Sequence, residues 1–249
     1  MTPESIYKDM TALVRAAPPP APKWSPEFTR PAQRQVLAPA VAWGWLMRTL
    51  RTGEAAIAIE GNGYGAEAAP LVRSALEHAI RLRWAAKHGD EFIEVALIAQ
   101  KKGNSNLQGA QTQHWEFSPE LADSLEEHSA EASDEYKSMS HLTALRTIVE
   151  ADQDRLGSLY MAWLFDTQDS HPSLITARHY FESVESGEGY SLLAQSRFDS
   201  AIAIKCCYAL IAAIDGYAEI SGLGSYYDAP LKTIVQRFAE ASQRQSYPK

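Results

Sequence analysis

Apolar residues along this chain recur at helical spacing. In "EAAPLVRSALEHAIRLRWAAKHG", Leu71, Ala75, Leu76, Ala79, Leu82 and Ala86 recur on one helical face, and Gly89 ends the run. Upstream, "PAQRQVLAPAVAWGWLMRTLRTG" carries the same periodicity and predicts a helix that ends at Gly53, with Pro39 either starting or kinking it. The segment 90–103 opens on an aspartate and closes on two lysines and a glycine, which are helix start and stop signals. Ser118 and Pro119 mark the start of a polar, acidic helix over 118–136, and two more helices are expected around 140–151 and 154–167. Pro172 places a turn at 169–173. The run "LITARHYF" after it suits a helix or a short strand.

The stretch 189–222 is apolar nearly all round at its centre, so it predicts the longest and most central helix. A last helix is capped by Asp228. No strand-type alternation of convincing length and no repeat of fixed period occurs in the sequence. The expected fold is all-α: one up-and-down helical bundle of about eight helices spanning residues 32–249. Residues 1–31 are expected to form an N-terminal arm or linker. They hold a short amphipathic start and then six prolines between 18 and 31, which suit neither a helix interior nor a central strand. Trp24 and Phe28 give that arm two aromatic groups able to dock on the main body.

Composition changes this picture little. With 45% apolar and 22% charged residues in 249, the chain can bury a substantial core. The net charge of −8 argues against broad, non-specific binding to nucleic acid but leaves room for a small local basic site, since Arg73, Arg81 and Arg83 fall within eleven residues. Cys206 and Cys207 are adjacent within an apolar helix and read as small core residues of a reducing compartment. No zinc-type Cys/His spacing occurs in the sequence, and neither a metal nor a cofactor is expected. The first residues lack a continuous apolar segment, and Lys205 interrupts the longest apolar run. A cytoplasmic protein that does not enter the membrane is therefore expected.

Three places offer chemistry. The "GNGYG" cluster at 61–65 precedes a helix, but no strand precedes it in a βαβ pattern and no P-loop lysine follows it, so a helix break or a close crossing of two helices is expected there. On the next helix, Arg73 and Glu77 stand one turn apart and can pair, whereas His78 lies roughly 140° round the axis from Arg73. Charged residues among Leu71, Val72, Ala75 and Leu76 need partners when buried. The third place is "DTQDSHPS", where His171 sits in a turn beside Pro172, with Asp166 and Asp169 before it and Ser170 and Ser173 on either side. His88, His114, His128 and His141 read as ordinary polar positions, with His179 intermediate.

"RSALEH" on an apolar helix resembles the Arg-x(4–6)-His signature of the HEPN superfamily, helical-bundle proteins that include metal-independent ribonucleases of toxin–antitoxin, abortive-infection and CRISPR-linked systems. Together with the later "DSHPS" turn, the helix also resembles an uncharacterised bacterial all-helical family with an Arg-x-x-x-Glu helix and a Ser-His-Pro turn. The HEPN resemblance implies an endoribonuclease of a phage-defence or toxin–antitoxin system, with RNA as substrate and its site built across a homodimer. Arg73 would stabilise charge on a scissile phosphate and His78 would move the proton, with Glu77 and His171 near by. Two readings compete. One is a non-catalytic module that binds a partner protein, in which Arg73–Glu77 is a structural ion pair. The other is a small-molecule pocket between helices lined by Trp43, Trp45, Trp84 and Trp163.

Overall fold

A computed structural model describes residues 2–17, 23, 25–110, 117–127, 144–184, 189–196 and 201–245. Its helices are α1 (Pro3–Ala16), α2 (Arg30–Gly61), α3 (Ala69–His88), α4 (Phe92–Gly109), α5 (Pro119–Glu127), α6 (Leu145–Glu150), α7 (Gln153–Asp169), α8 (Leu174–Arg178), α9 (Ile202–Ser221) and α10 (Gly224–Gln245). Two three-residue strands, β1 (Phe181–Ser183) and β2 (Tyr190–Leu192), pair antiparallel between α8 and α9. The fold is all-α, as the apolar spacing requires.

The core is centred on α3 and α9, with α2 against both and α7 on the other flank of α3. Small residues explain how closely α3 and α9 approach. Gly216 of α9 faces the α3 backbone, where a Cβ would lie 2.9 Å from the carbonyl oxygen of Leu82 and 3.1 Å from the nitrogen of Arg83. Around that crossing Leu76, Ala79, Ile80 and Leu82 of α3 meet a helix whose inner positions include Ala209, Leu210, Ala213 and Ile214, all of them buried. The cysteines belong to the same core, and Cys207 Sγ donates to the carbonyl of Pro3.

Several boundaries differ from those the sequence predicts. Residues 3–16, within the expected arm, form a helix whose Ile6, Met10 and Val14 are fully buried, with α9 and α10 as neighbours. The amphipathic start thus joins the bundle core and does not trail from it as an arm. Helix α2 does not end at Gly53 but runs through it to Gly61, and it also passes through Pro39. The glycine serves close approach: a Cβ there would collide with the ring of Tyr7, whose hydroxyl donates to the carbonyl of Leu50. The long helix expected over 189–222 begins only at Ile202, because residues 190–192 pair with β1, so α2 is the longer element. The undecided "LITARHYF" run splits into α8 and β1. Helix α10 starts at Gly224, four residues before Asp228. Expectations at Trp24, at His114, His128 and His141, and over 128–143 lie outside the described residues.

The start of α2 is fastened to α4 by charge. Glu94, fully buried, accepts from Arg30 Nε at 2.7 Å and Nη2 at 2.6 Å, while Arg34 reaches both Glu94 and Asp90 at 3.3 Å. A bidentate guanidinium matches a carboxylate's geometry and offsets the desolvation of a buried anion.

Candidate functional site

Helix α3 follows the "GNGYG" segment, which forms the turn between α2 and α3, with Gly63 at φ 86. That conformation favours glycine and accounts for the cluster as a chain reversal. The helix then presents its polar residues to two different neighbours.

Arg73 faces α7. Its guanidinium carbon lies 5.4 Å from the ring centroid of Trp163, and its Nε is buried without a hydrogen-bond partner. Trp163 stacks on Tyr160 at 5.5 Å, and its own Nε1 is likewise buried and unpartnered. One turn further along α7, Asp166 is fully buried. Its Oδ1 receives Lys205 Nζ of α9 at 2.8 Å, while Oδ2 is buried without a partner. Burial pushes the Asp166 carboxyl above the usual carboxylate range, and the Lys205 ammonium opposes that shift.

The segment after α7 is tied back to this end of the bundle. Ser170 Oγ donates to the Asp166 carbonyl, and Asp169 Oδ1 lies 3.2 Å from His179 Nε2. Ser173 caps α8 through a reciprocal bond with Thr176, whose hydroxyl also donates to the His171 carbonyl at 3.3 Å. The Tyr180 hydroxyl donates to Glu67, just ahead of α3. His171 is exposed, and its ring makes no hydrogen bond among the described residues. Helix α7 thus carries two separate polar contacts, Trp163 with Arg73 and Asp166 with Lys205, and the turn carrying His171 starts one helical turn beyond Asp166.

His78 faces elsewhere. Its Nδ1–H donates to the Ser74 carbonyl at 2.7 Å, and burial lowers its pKa below that of a free imidazole. It lines a cavity of about 270 Å³ with Trp45, Arg81, Trp84, Val95, Ala96, Ala99 and Ile148, supplied by α2, α3, α4 and α6. Within one chain Arg73 and His78 are therefore not brought together. The expected Arg73–Glu77 pair does not form either. Glu77 accepts from Arg81 Nη1 at 2.5 Å, with the glutamate N-terminal to the arginine, the favoured order on a helix. Arg73 is instead drawn to the aromatic face of Trp163. The four tryptophans do not converge: Trp45 and Trp84 line the cavity, Trp43 packs on Tyr217, and Trp163 lies against Arg73.

Sequence reasoning noticed Asp166 and Lys205 separately and missed that they pair. A lone lysine inside an apolar helix was the available signal, because such a charge needs a partner. Among the described residues no group of three or more His, Cys, Asp or Glu side chains is placed to hold a metal ion. No helix among them is long and apolar enough to cross a membrane.

No curated protein and no solved structure matches the chain significantly. Residues 40–189 do match a protein family, and that span contains Arg73, His78, Asp166 and His171. The chain belongs to that family, described as a family of unknown function, DUF5677.

Proposed function

We propose that this protein is a HEPN-like endoribonuclease of a bacterial defence or toxin–antitoxin type, working as a homodimer without a metal. Its site runs along α7, from Arg73 at Trp163 to the turn that carries His171. Arg73 holds the phosphate there and His171 moves the proton. The observation that carries this reading is Arg73. Its guanidinium makes no ion pair with a carboxylate among the described residues and rests on the Trp163 ring. A guanidinium kept in that state can take up a phosphate oxygen.

Along the same helix α7, Asp166 holds the Lys205 ammonium. His171, exposed in the turn after α7, is a group able to take the 2′-hydroxyl proton and return it to the leaving 5′ oxygen. The 2′ oxygen then attacks phosphorus as the P–O5′ bond breaks, leaving a cyclic phosphate and a 5′-hydroxyl. The imidazole assigned here is His171 and not His78, because His78 turns toward a different set of helices.

A second reading is favoured by the packing of Arg73 on Trp163, since that contact would serve a non-catalytic interaction module equally well. Incubating the purified protein with total RNA in EDTA separates the two. Cleavage is expected from the wild type and from His78→Ala, and not from Arg73→Ala or His171→Ala. No cleavage by the wild type, or equal cleavage by all four proteins, removes the enzyme reading.

A further inference from the structure

The cavity at His78 lies toward α4 and α6, away from the Arg73 contact with α7, and its chemistry differs. Its walls are the rings of Trp45 and Trp84 with Val95, Ala96, Ala99 and Ile148. Such walls favour a planar apolar body. A cavity of about 150 Å³ lined by apolar side chains is enough to hold benzene, and this one measures about 270 Å³. A one- or two-ring molecule fits that volume.

One polar atom gives the cavity its selectivity. Because His78 Nδ1–H is spent on the Ser74 carbonyl, Nε2 carries the lone pair of the neutral ring. Nε2 makes no hydrogen bond among the described residues, so the His78 wall offers an acceptor. Burial favours the neutral form of that ring. Trp84 Nε1 is shut off from solvent, so that indole gives the cavity its ring and not its N–H. The charge of Arg81 is answered by Glu77, so the cavity gives a ligand carboxylate no unpaired cation from that residue.

We propose that the cavity between α2, α3, α4 and α6 binds a small uncharged aromatic molecule with one hydroxyl or N–H donor, of the phenol or indole class. The ring lies between Trp45 and Trp84, and the donor meets His78 Nε2.

Phenol and toluene are near-isosteres that differ in that donor, so together they test the assignment. Each is titrated into the full chain, with tryptophan fluorescence and calorimetry as readouts. Phenol is expected to bind saturably and roughly five- to tenfold more tightly than toluene, the effect of one hydrogen bond. His78→Phe is expected to abolish the difference. Ala99→Trp, at an exposed position of the cavity wall, is expected to block both ligands while leaving the circular dichroism spectrum unchanged, and it decides the matter should His78→Phe fail to fold. Equal affinity for the two ligands, no saturable binding of phenol, or phenol binding that survives Ala99→Trp overturns the proposal. None of these outcomes depends on whether the protein cleaves RNA.

Discussion

The guanidinium of Arg73 rests 5.4 Å from the centre of the Trp163 ring, and this contact joins α3 to α7. An arginine over an indole is attracted by the ring's negative face, and the attraction grows as water is excluded. A double-mutant cycle of Arg73→Ala and Trp163→Leu is expected to show a coupling of about 0.5–1.5 kcal/mol in urea denaturation. Additive effects would mean that the two side chains are neighbours without interacting.

Gly216 gives a sharper test of the packing. A methyl group there would lie 2.9 Å from both the carbonyl carbon and the oxygen of Leu82, and backbone cannot rotate away as a side chain can. Gly216→Ala is expected to lower stability by about 1–3 kcal/mol, despite alanine's better helix propensity. Gly44 is the control, because a methyl group added there would meet nothing within 4 Å, and Gly44→Ala should be neutral or stabilising. Thermal melts of the two variants check both statements.

Acid should weaken the fold through its histidines. Burial is the first cause of the lowered pKa of both His78 and His88. In the unfolded chain an imidazole begins to gain a proton near pH 6.5. The folded state resists that proton until its own lower pKa is reached. Stability is therefore fully present above the unfolded value and is lost as pH falls below it. The melting temperature should decline from pH 7.5 to pH 5.5, with a shallower decline in His78→Gln. An unchanged slope in that variant would exclude His78 as a source of the effect.

The cysteines should be inert in the native protein. Both are buried, and desolvation pushes the Cys207 thiol up to about 12 and raises that of Cys206 as well. A thiolate is the reactive form. A chromogenic disulfide reagent should therefore label neither cysteine until urea is added, when two equivalents should react. Prompt labelling of the folded chain would contradict the burial.

The periodicity of "LVRSALEHAIRLRW" was enough to place α3, because three- and four-residue spacing is a local property of the chain. Local signals also placed the turn at Pro172 and gave a helix break as one of two readings of "GNGYG". They failed wherever a distant partner decides the outcome. Gly53 has the signature of a helix stop, yet its role is to admit Tyr7 from 46 positions away. Residues 190–192 are apolar enough to extend α9, yet they pair with β1. The site was legible to the same extent. Arg73, His78 and the "DSHPS" turn stood out by residue type, but spacing alone allowed Glu77 two arginine partners and could not show that Lys205 reaches Asp166.

That last pair carries the most specific prediction. The raised pKa of Asp166 means that desolvation outweighs the attraction of Lys205, so the ionised carboxylate is held at a cost. Lys205→Met removes the compensating charge and leaves the acid stranded. A carboxyl whose folded pKa is raised loses stability as pH rises from its unfolded value, near 3.9, up to the folded one. In Lys205→Met that loss should extend into the neutral range. Measured as the difference from wild type, so that the histidine effect cancels, the variant should be destabilised by about 2–4 kcal/mol at pH 7.5 and by clearly less at pH 5. Asp166→Asn combined with Lys205→Met removes both charges, and its deficit should be smaller and independent of pH. A Lys205→Met deficit that is the same at both pH values would show that the lysine contributes by packing its aliphatic stem and not by its charge.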